Sequence, residues 1–186
     1  MARTAGRSAD ETRRMILDAA ARLIGRYGTA VPVAQIADAA QVSKGGLLYH
    51  FPSKEDLLTG LAAELMERFR RDVELVAAEE AEGTPGRLAR AYIRVNFVHA
   101  SDFSGLRDQI ALAAHLMFEP AMQRITQEDA ERWRQDLHAD GLDPVIVRMI
   151  IAASDGSTSA PLWGAVLSEA DRRALESDLI ALTHRR

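Results

Sequence analysis

The segment Ser43–His50 combines two adjacent glycines with basic and aromatic side chains. A glycine costs a helix about 1 kcal/mol relative to alanine, so a pair near a helix start indicates a backbone that approaches a partner surface closely. Lys44, Tyr49 and His50 flank these glycines, and Lys54 follows. Such side chains donate hydrogen bonds to phosphate oxygens. The pattern predicts binding of a polyanion rather than catalysis. For His50, the alternative is a surface histidine that makes no contact.

The charge of the chain is divided unevenly along its length. Residues 1–54 contain eight basic and four acidic side chains, whereas the remaining 132 residues contain 15 and 23, within an overall net charge of −4. Both lysines of the chain, Lys44 and Lys54, lie at the end of the basic part. This asymmetry suggests a nucleic-acid-facing end on an acidic body. A chance placement of arginines is the alternative.

Every periodic segment of the chain has the spacing of a helix. Apolar residues between Ile16 and Tyr27 follow a helical period, and Ser8 with Glu11 forms a capping box in front of them. Short helices are predicted over 32–40 and 44–50, and the three residues between them give a helix-turn-helix arrangement. About nine helices and no strand are expected, so the predicted fold class is all-α.

Capping residues predict where the later helices begin. Ser53, Asp143 and Ser168 each precede a helix, and Thr84 is expected to cap the helix that follows it. The polar stretch 154–161 is expected to be a loop, because serine, threonine, glycine and proline are common between periodic segments.

The stretches TRRMILDAAARLIGRYG and IADAAQVSKGGLLYHFPSKEDLL, within about residues 10–60, resemble the DNA-binding domain of the TetR family of bacterial transcriptional regulators. The resemblance implies that the helix over 44–50 enters the DNA major groove as the recognition helix, and that Lys54 contacts a phosphate. It also implies a three-helix DNA-binding domain over 1–54 and a helical effector-binding and dimerisation domain over 55–186. The residues expected to contact DNA are Lys44, Gly45, Gly46, Leu48, Tyr49, His50 and Lys54.

The chain departs from the pattern of that family at several positions. Gln41 stands where a glycine is common in the turn, which adds backbone strain, Gly46 stands where a threonine is common, and Leu48 where a tyrosine is common. Few long polar side chains remain to read base edges, so Lys44 is the best candidate for a guanine contact and Leu48 for a thymine methyl. Much of the specificity is expected to come from DNA shape and from the N-terminal arginines.

Beyond about residue 60, the resemblance implies an architecture and no site residues. The last two helices are expected to form a four-helix bundle with a second copy, because a two-fold operator needs a two-fold reader. The apolar residues assigned to this dimer are Ile146, Met149, Ile150, Leu175, Leu179 and Leu182. A small-molecule pocket is expected between the middle helices, with effector contacts from Tyr92, Asn96, His99, Met117, Phe118, Trp133 and Trp163. For both sets, packing in the core of one subunit is the alternative.

No motif of an enzyme, a metal site or a cofactor site is visible. The chain has no cysteine, phosphate-binding loop, dinucleotide fingerprint or metalloprotease motif. Neither a secretory signal nor a membrane span is apparent, so a cytoplasmic location is expected. The favoured function is a dimeric repressor that a small hydrophobic or aromatic effector releases from palindromic operator DNA. The alternative is a DNA-binding regulator without a small-molecule switch, such as an activator or a partner-controlled protein.

Overall fold

The computed structural model describes residues 8–99, 111–117, 119–160 and 164–184. This part of the chain is helical and contains no strand, which confirms the all-α prediction. The helices are α1 (Ala9–Tyr27), α2 (Val33–Ala39), α3 (Lys44–His50), α4 (Lys54–Ala77), α5 (Arg87–His99), α6 (Pro120–His138), α7 (Pro144–Ser159) and α8 (Glu169–Leu182), and residues 111–116 are also helical. Within the described ranges, no helix is both long and apolar enough to cross a membrane.

The chain divides into two compact units, one within Met1–Leu65 and Ala111–Ile125, the other within Met66–Ile110 and Thr126–Arg186. In the first unit, α1 packs against α2 and α3, and α2 packs against α3. The largest fully buried side chains of these helices are those of Ile16, Ile24, Ile36 and Leu47. Apolar residues at helical spacing therefore form the core that holds α3 in place.

Local capping fixes the ends of the helices in the first unit. The hydroxyl of Ser8 accepts the Glu11 N–H at 3.1 Å, and the Glu11 carboxylate accepts the Ser8 N–H at 2.8 Å, which confirms the predicted capping box. Between α2 and α3, Gln41 has a φ of 56°, and it is the one non-glycine residue with positive φ in the described part of the chain. The strain expected at this turn position is confirmed, because side chains disfavour the left-handed region.

In the second unit, α5 packs against α7 and α8. Arg90 of α5 is almost completely buried in this unit. Its Nε donates to both carboxylate oxygens of Glu80 at 3.0 Å, and its Nη1 donates to the Pro85 carbonyl and the Thr183 hydroxyl at 3.1 Å. The hydrogen bonds that the Arg90 guanidinium donates to the Glu80 carboxylate lower the pKa of Glu80. Arg90 thereby ties the segment between α4 and α5 to the end of α8.

Two predicted boundaries are wrong. The stretch from Ser154 is not a loop, because α7 continues to Ser159. Its serines fit a helix here because Ser154 and Ser157 are buried, and because Thr158 donates to the Asn96 side chain at 2.8 Å.

The predicted cap at Thr84 is also wrong, since its hydroxyl donates backwards to the Ala81 carbonyl at 2.7 Å. The first N–H groups of α5 instead donate to the carboxylate of Asp140, from Leu88 at 3.2 Å and from Ala89 at 2.8 Å. A residue about 50 positions away in sequence therefore caps this helix.

Candidate nucleic-acid interface and ligand cavity

Helix α3 has one buried and one open side. Leu47 is fully buried, and Phe51, which directly follows the helix, is 3% exposed. Lys44 and Gly45 are exposed, and Tyr49 is 82% exposed. The Ser43 hydroxyl accepts the Gly46 N–H at 3.0 Å and fixes the start of the helix, as predicted from the sequence. The helix therefore presents a lysine, a bare backbone and a phenol on one surface.

The two glycines of α3 differ in what the protein itself requires of them. A Cβ at Gly45 meets only the Ser43 hydroxyl, at 4.0 Å, which is an ordinary contact. A Cβ at Gly46 lies 3.2 Å from the same oxygen, which is tight. Internal packing thus gives no reason for the glycine at position 45, although a glycine weakens a helix. Close approach of an external surface supplies such a reason.

The remaining predicted DNA contacts lie around the end of α3 and the start of α4. His50 and Leu48 are half-buried, and the His50 ring meets the Tyr49 ring edge-on with centroids 5.2 Å apart. Lys54 is the first residue of α4, behind a cap in which the Asp56 N–H donates to the Ser53 hydroxyl at 3.0 Å. These residues therefore lie close together because they follow one another along the chain, and short-range contacts group them.

Phe51 is held from two sides in the first unit. The guanidinium of Arg13 lies over its ring, 5.1 Å from the centroid. A Cβ at Gly60 would come within 2.6 Å of its Cε1 atom, so α4 approaches the ring as closely as a glycine permits. Arg13 and Gly60 therefore position Phe51, the residue that directly follows α3.

The second unit contains a cavity of about 430 Å³. Three aromatic rings in its wall contact each other, with centroid distances of 5.6 Å for Phe69–Tyr92, 5.5 Å for Phe69–Trp133 and 5.2 Å for Tyr92–Trp133. Its other lining residues are Met66, Thr126, Asp129, Ala130, Arg134, Leu137, Ile151 and Asp155. The volume lies in the range of small-molecule sites, which combine an apolar wall with a few polar groups.

Two carboxylates give this cavity its polar character. The Tyr92 hydroxyl donates to Oδ1 of Asp155 at 2.6 Å. Burial and the Asp155 carboxylate raise the pKa of Tyr92 far above its usual value, so the phenol stays a donor. Burial also raises the pKa of Asp129, although the Arg70 guanidinium lies near it.

Arg70 lies behind the Trp133 ring. Its guanidinium carbon is 4.1 Å from the ring centroid, and its Nη1 donates to Asp136 at 2.7 Å. Within the described residues, Nε and Nη2 of this buried side chain have no hydrogen-bond partner. The guanidinium is thus held mainly by one carboxylate and one aromatic face.

The structure groups some of the predicted effector contacts and separates others. Tyr92 and Trp133 line the cavity. Asn96 is buried elsewhere, donating to the Tyr92 carbonyl at 2.9 Å, and Met117 is 64% exposed in the first unit. The side chain of His99, and the residues Phe118 and Trp163, lie outside the described part of the structure. Effector contact by any of these residues stays a prediction.

The residues assigned to the dimer fall into three groups. Ile150 and Leu179 are buried in the core of the second unit. Ile146, Leu175 and Leu182 are partly buried and pack against that core. Met149 is 51% exposed, and its neighbour one turn earlier on α7, Val145, is 53% exposed.

Two family models match the chain. Residues 16–61 match the model described as "Bacterial regulatory proteins, tetR family". Residues 86–184, more than half of the chain, match the model described as "Tetracyclin repressor-like, C-terminal domain". The chain belongs to the TetR family. Members of the TetR family are DNA-binding transcriptional regulators and not enzymes, which agrees with the lack of enzyme motifs in the sequence.

Individual TetR-family proteins resemble the chain over different lengths. It is 39% identical over 113 residues to the HTH-type transcriptional regulator BetI of Rhizobium meliloti (strain 1021), covering 60% of this chain and 52% of that protein. It is 30% identical over 119 residues to the HTH-type transcriptional regulator AcrR of Shigella flexneri, covering 63% of this chain and 53% of that protein. The chain thus spans about half the length of these curated relatives.

A solved TetR-family neighbour covers nearly the whole chain. The multidrug binding protein EbrR complexed with imidazole is 26% identical, with a TM-score of 0.68, and covers 95% of this chain and 92% of its own. The same protein complexed with ethidium is 28% identical, with a TM-score of 0.64, and covers 91% and 98%.

Sequence reasoning missed several residues of the cavity. Phe69, Asp129 and Asp155 line it, and Arg70 supports its wall, but none was singled out. Asp155 lies in the polar stretch that was interpreted as a loop. A helix interpretation would have placed Asp155 one turn beyond Ile151, on the side of α7 that lines the cavity.

Proposed function

We propose that the chain is a dimeric, DNA-binding transcriptional repressor that reads a two-fold operator with α3 and is released by a small aromatic or hydrophobic effector. The observation that carries the DNA-reading part is the open side of α3, where Lys44, Gly45 and Tyr49 are exposed beside a helix held by buried Leu47. Phosphate contacts position such a helix, and contacts to base edges give it sequence preference.

The three exposed or half-exposed donors have different roles in this proposal. Lys54 and Tyr49 bind phosphates, and Lys44 reaches a base edge in the major groove. Gly45 lets the backbone approach the DNA, and Leu48 and His50 complete the surface. The proposed DNA-binding unit corresponds to residues 1–54, and the remainder, 55–186, carries the effector and the dimer.

The proposed dimer uses the exposed part of α7 together with α8. Val145 and Met149 are apolar, about half exposed and one turn apart. In a dimer, the facing helix of the second copy would cover these two side chains, which is why they are assigned to the dimer surface. Ile150 and Leu179 stabilise each subunit instead, because they are already buried within it.

The cavity favours control by a small molecule over a regulator without a switch. Tyr92 and Trp133 line it, and α4 carries both Phe69 in its wall and Lys54 at its N-terminus. EbrR, which resembles the chain over nearly its whole length, is a multidrug binding protein. If the effector binds the DNA-free protein more tightly than the DNA-bound protein, it lowers the affinity for DNA by the same factor.

The test of this function is operator binding measured by fluorescence anisotropy at several salt concentrations. Lys54→Ala and Tyr49→Ala are expected to weaken binding at all sequences, and Lys54→Ala to lower the slope of log affinity against log salt by about one. Glu74→Gln, an exposed change on α4, is the control. Unchanged affinity and slope in Lys54→Ala would contradict the phosphate contact.

A further inference from the structure

The charges around the cavity of the second unit do not balance. Two carboxylates, those of Asp129 and Asp155, line the cavity. Among the described residues that line it, Arg134 has the one guanidinium. Arg134 is already engaged, because it donates to both oxygens of Glu131 at 2.8 and 2.7 Å. Its charge is therefore neutralised beside the cavity.

The cation behind the wall is also engaged. Arg70 bonds Asp136 at 2.7 Å and lies farther from Asp129, with Nη2 and Oδ1 3.8 Å apart. Arg132, the other guanidinium near Asp129, pairs with Glu67 at 3.0 Å. The described guanidinium groups near the cavity thus pair more closely with other carboxylates than with Asp129 or Asp155. The cavity therefore has a surplus of negative charge at these two residues.

The wall between these carboxylates is aromatic. Phe69, Tyr92 and Trp133 contact one another, and Tyr92 and Trp133 are more than nine-tenths buried. Aromatic faces attract cations, and a carboxylate at the edge of such a face strengthens the attraction when water is excluded. Arg70 is shared between Asp129 and Asp136, so one guanidinium faces two carboxylates, and a bound cation would supply the positive charge that is missing.

We propose that this cavity binds an organic cation, a quaternary ammonium or phosphonium group with a bulky apolar or aromatic substituent, against Phe69, Tyr92 and Trp133 and between Asp129 and Asp155. The inference rests on the proposed function, because it names the chemical class of the effector. The substituent packs on the aromatic wall, and the two carboxylates select for positive charge.

The charge preference is tested with two ligands of the same shape. Benzyltrimethylammonium and its neutral carbon isostere, neopentylbenzene, are titrated by calorimetry into the full chain without DNA. The cation is expected to bind at least about tenfold more tightly, in line with a cation–π contact supported by carboxylates. Tetramethylammonium and tetraphenylphosphonium extend the range of sizes. Equal or tighter binding of neopentylbenzene, or no binding of any of the three cations, would overturn the proposal.

Variants locate the source of the preference. Asp129→Asn and Asp155→Asn each keep the shape of the side chain and remove its charge, and each is expected to reduce the cation preference at least about threefold. Glu74→Gln removes the same charge from an exposed position of α4 that does not line the cavity, and is expected to leave the preference unchanged. A preference that survives in both aspartate variants would overturn the assignment, and the wild-type ligand comparison tests it even where a variant fails to fold.

A separate measurement distinguishes this inference from the proposed function. Benzyltrimethylammonium is added to the complex of the protein with its operator DNA, and the affinity for DNA is measured. Cation binding with unchanged DNA affinity supports the site and overturns the effector role. Tight operator binding by a protein that binds none of the cations supports the DNA-reading function and overturns the inference.

Discussion

The hydroxyl of Tyr92 donates a hydrogen bond of 2.6 Å to Oδ1 of Asp155, which links α5 to α7 at the edge of the cavity. The bond leaves the second oxygen of the carboxylate for a ligand, and it holds Tyr92 in the aromatic wall. A hydrogen bond to a charged group contributes more to stability than one between neutral groups.

Tyr92→Phe keeps the ring and removes only this bond. We expect the free energy of unfolding to fall by about 1–1.5 kcal/mol, near the lower end for a bond to a charged acceptor because Asp155 is exposed. Urea unfolding followed by circular dichroism measures it. Tyr27→Phe, a matched change at a phenol that is 56% exposed, is expected to have almost no effect. Equal losses in the two variants would contradict a structural role for the Tyr92–Asp155 bond.

Glu80 is expected to make stability depend on pH in the acid range. The hydrogen bond from Arg90 lowers the pKa of Glu80 below its ordinary 4.5 in the folded protein. Its contribution is therefore complete above about pH 4.5 and is lost as the pH falls through the lower, folded-state value. Glu80→Gln is expected to lower the free energy of unfolding by about 1.5–3 kcal/mol at pH 7, and this difference is expected to shrink as the pH falls below about 4.5.

Urea unfolding of the wild type and Glu80→Gln at a series of pH values checks this expectation. Glu74→Gln serves as the control for loss of one exposed carboxylate. A difference that stays constant from pH 7 to pH 3 would show that the charge of Glu80 does not stabilise the fold.

Gly60→Ala is expected to disturb the end of α3. The added Cβ would lie 2.6 Å from Cε1 of Phe51, so the ring must move, and overpacking of this kind costs about 1–3 kcal/mol. We expect a lower melting temperature together with weaker operator binding, because Phe51 directly follows α3, the helix proposed to read DNA. A variant with the wild-type melting temperature would show that the Phe51 ring moves aside without loss of stability, which would contradict tight packing at Gly60.

Gly45→Ala is expected to have opposite effects on stability and on DNA binding. The new Cβ meets only the Ser43 hydroxyl at 4.0 Å, and alanine favours a helix over glycine by about 1 kcal/mol. The variant is therefore expected to unfold at a higher temperature and to bind operator DNA at least about tenfold more weakly. Gly156→Ala on α7, where nothing lies within 4 Å, is the control for the helix effect. Unchanged operator affinity would show that the glycine does not serve DNA contact.

The sequence predicts the first unit well because its signals are local. Ser8 with Glu11 and Ser43 with the Gly46 N–H act within one helical turn, so spacing alone identifies them. The strained turn at Gln41 is expected for another reason, because the TetR-family resemblance places Gln41 where a glycine is common.

The second unit depends on contacts that spacing does not reveal. The cap of α5 comes from Asp140 rather than from Thr84, and two serines of α7, Ser154 and Ser157, are buried within a helix that extends to Ser159. The cavity has the same origin, since Phe69, Asp129 and Asp155 come from three helices. Tertiary packing decides such positions, and a local pattern of polar residues then favours the wrong structure.

Selection from a random DNA pool measures whether α3 reads DNA as part of a two-fold protein. We expect the wild type to enrich a palindrome with half-site centres about one helical turn apart. We expect Lys44→Ala to enrich the same spacing with a relaxed base preference at one position of each half-site. Enrichment of no symmetric sequence, or an identical consensus from Lys44→Ala, would contradict DNA reading by α3 in a two-fold protein.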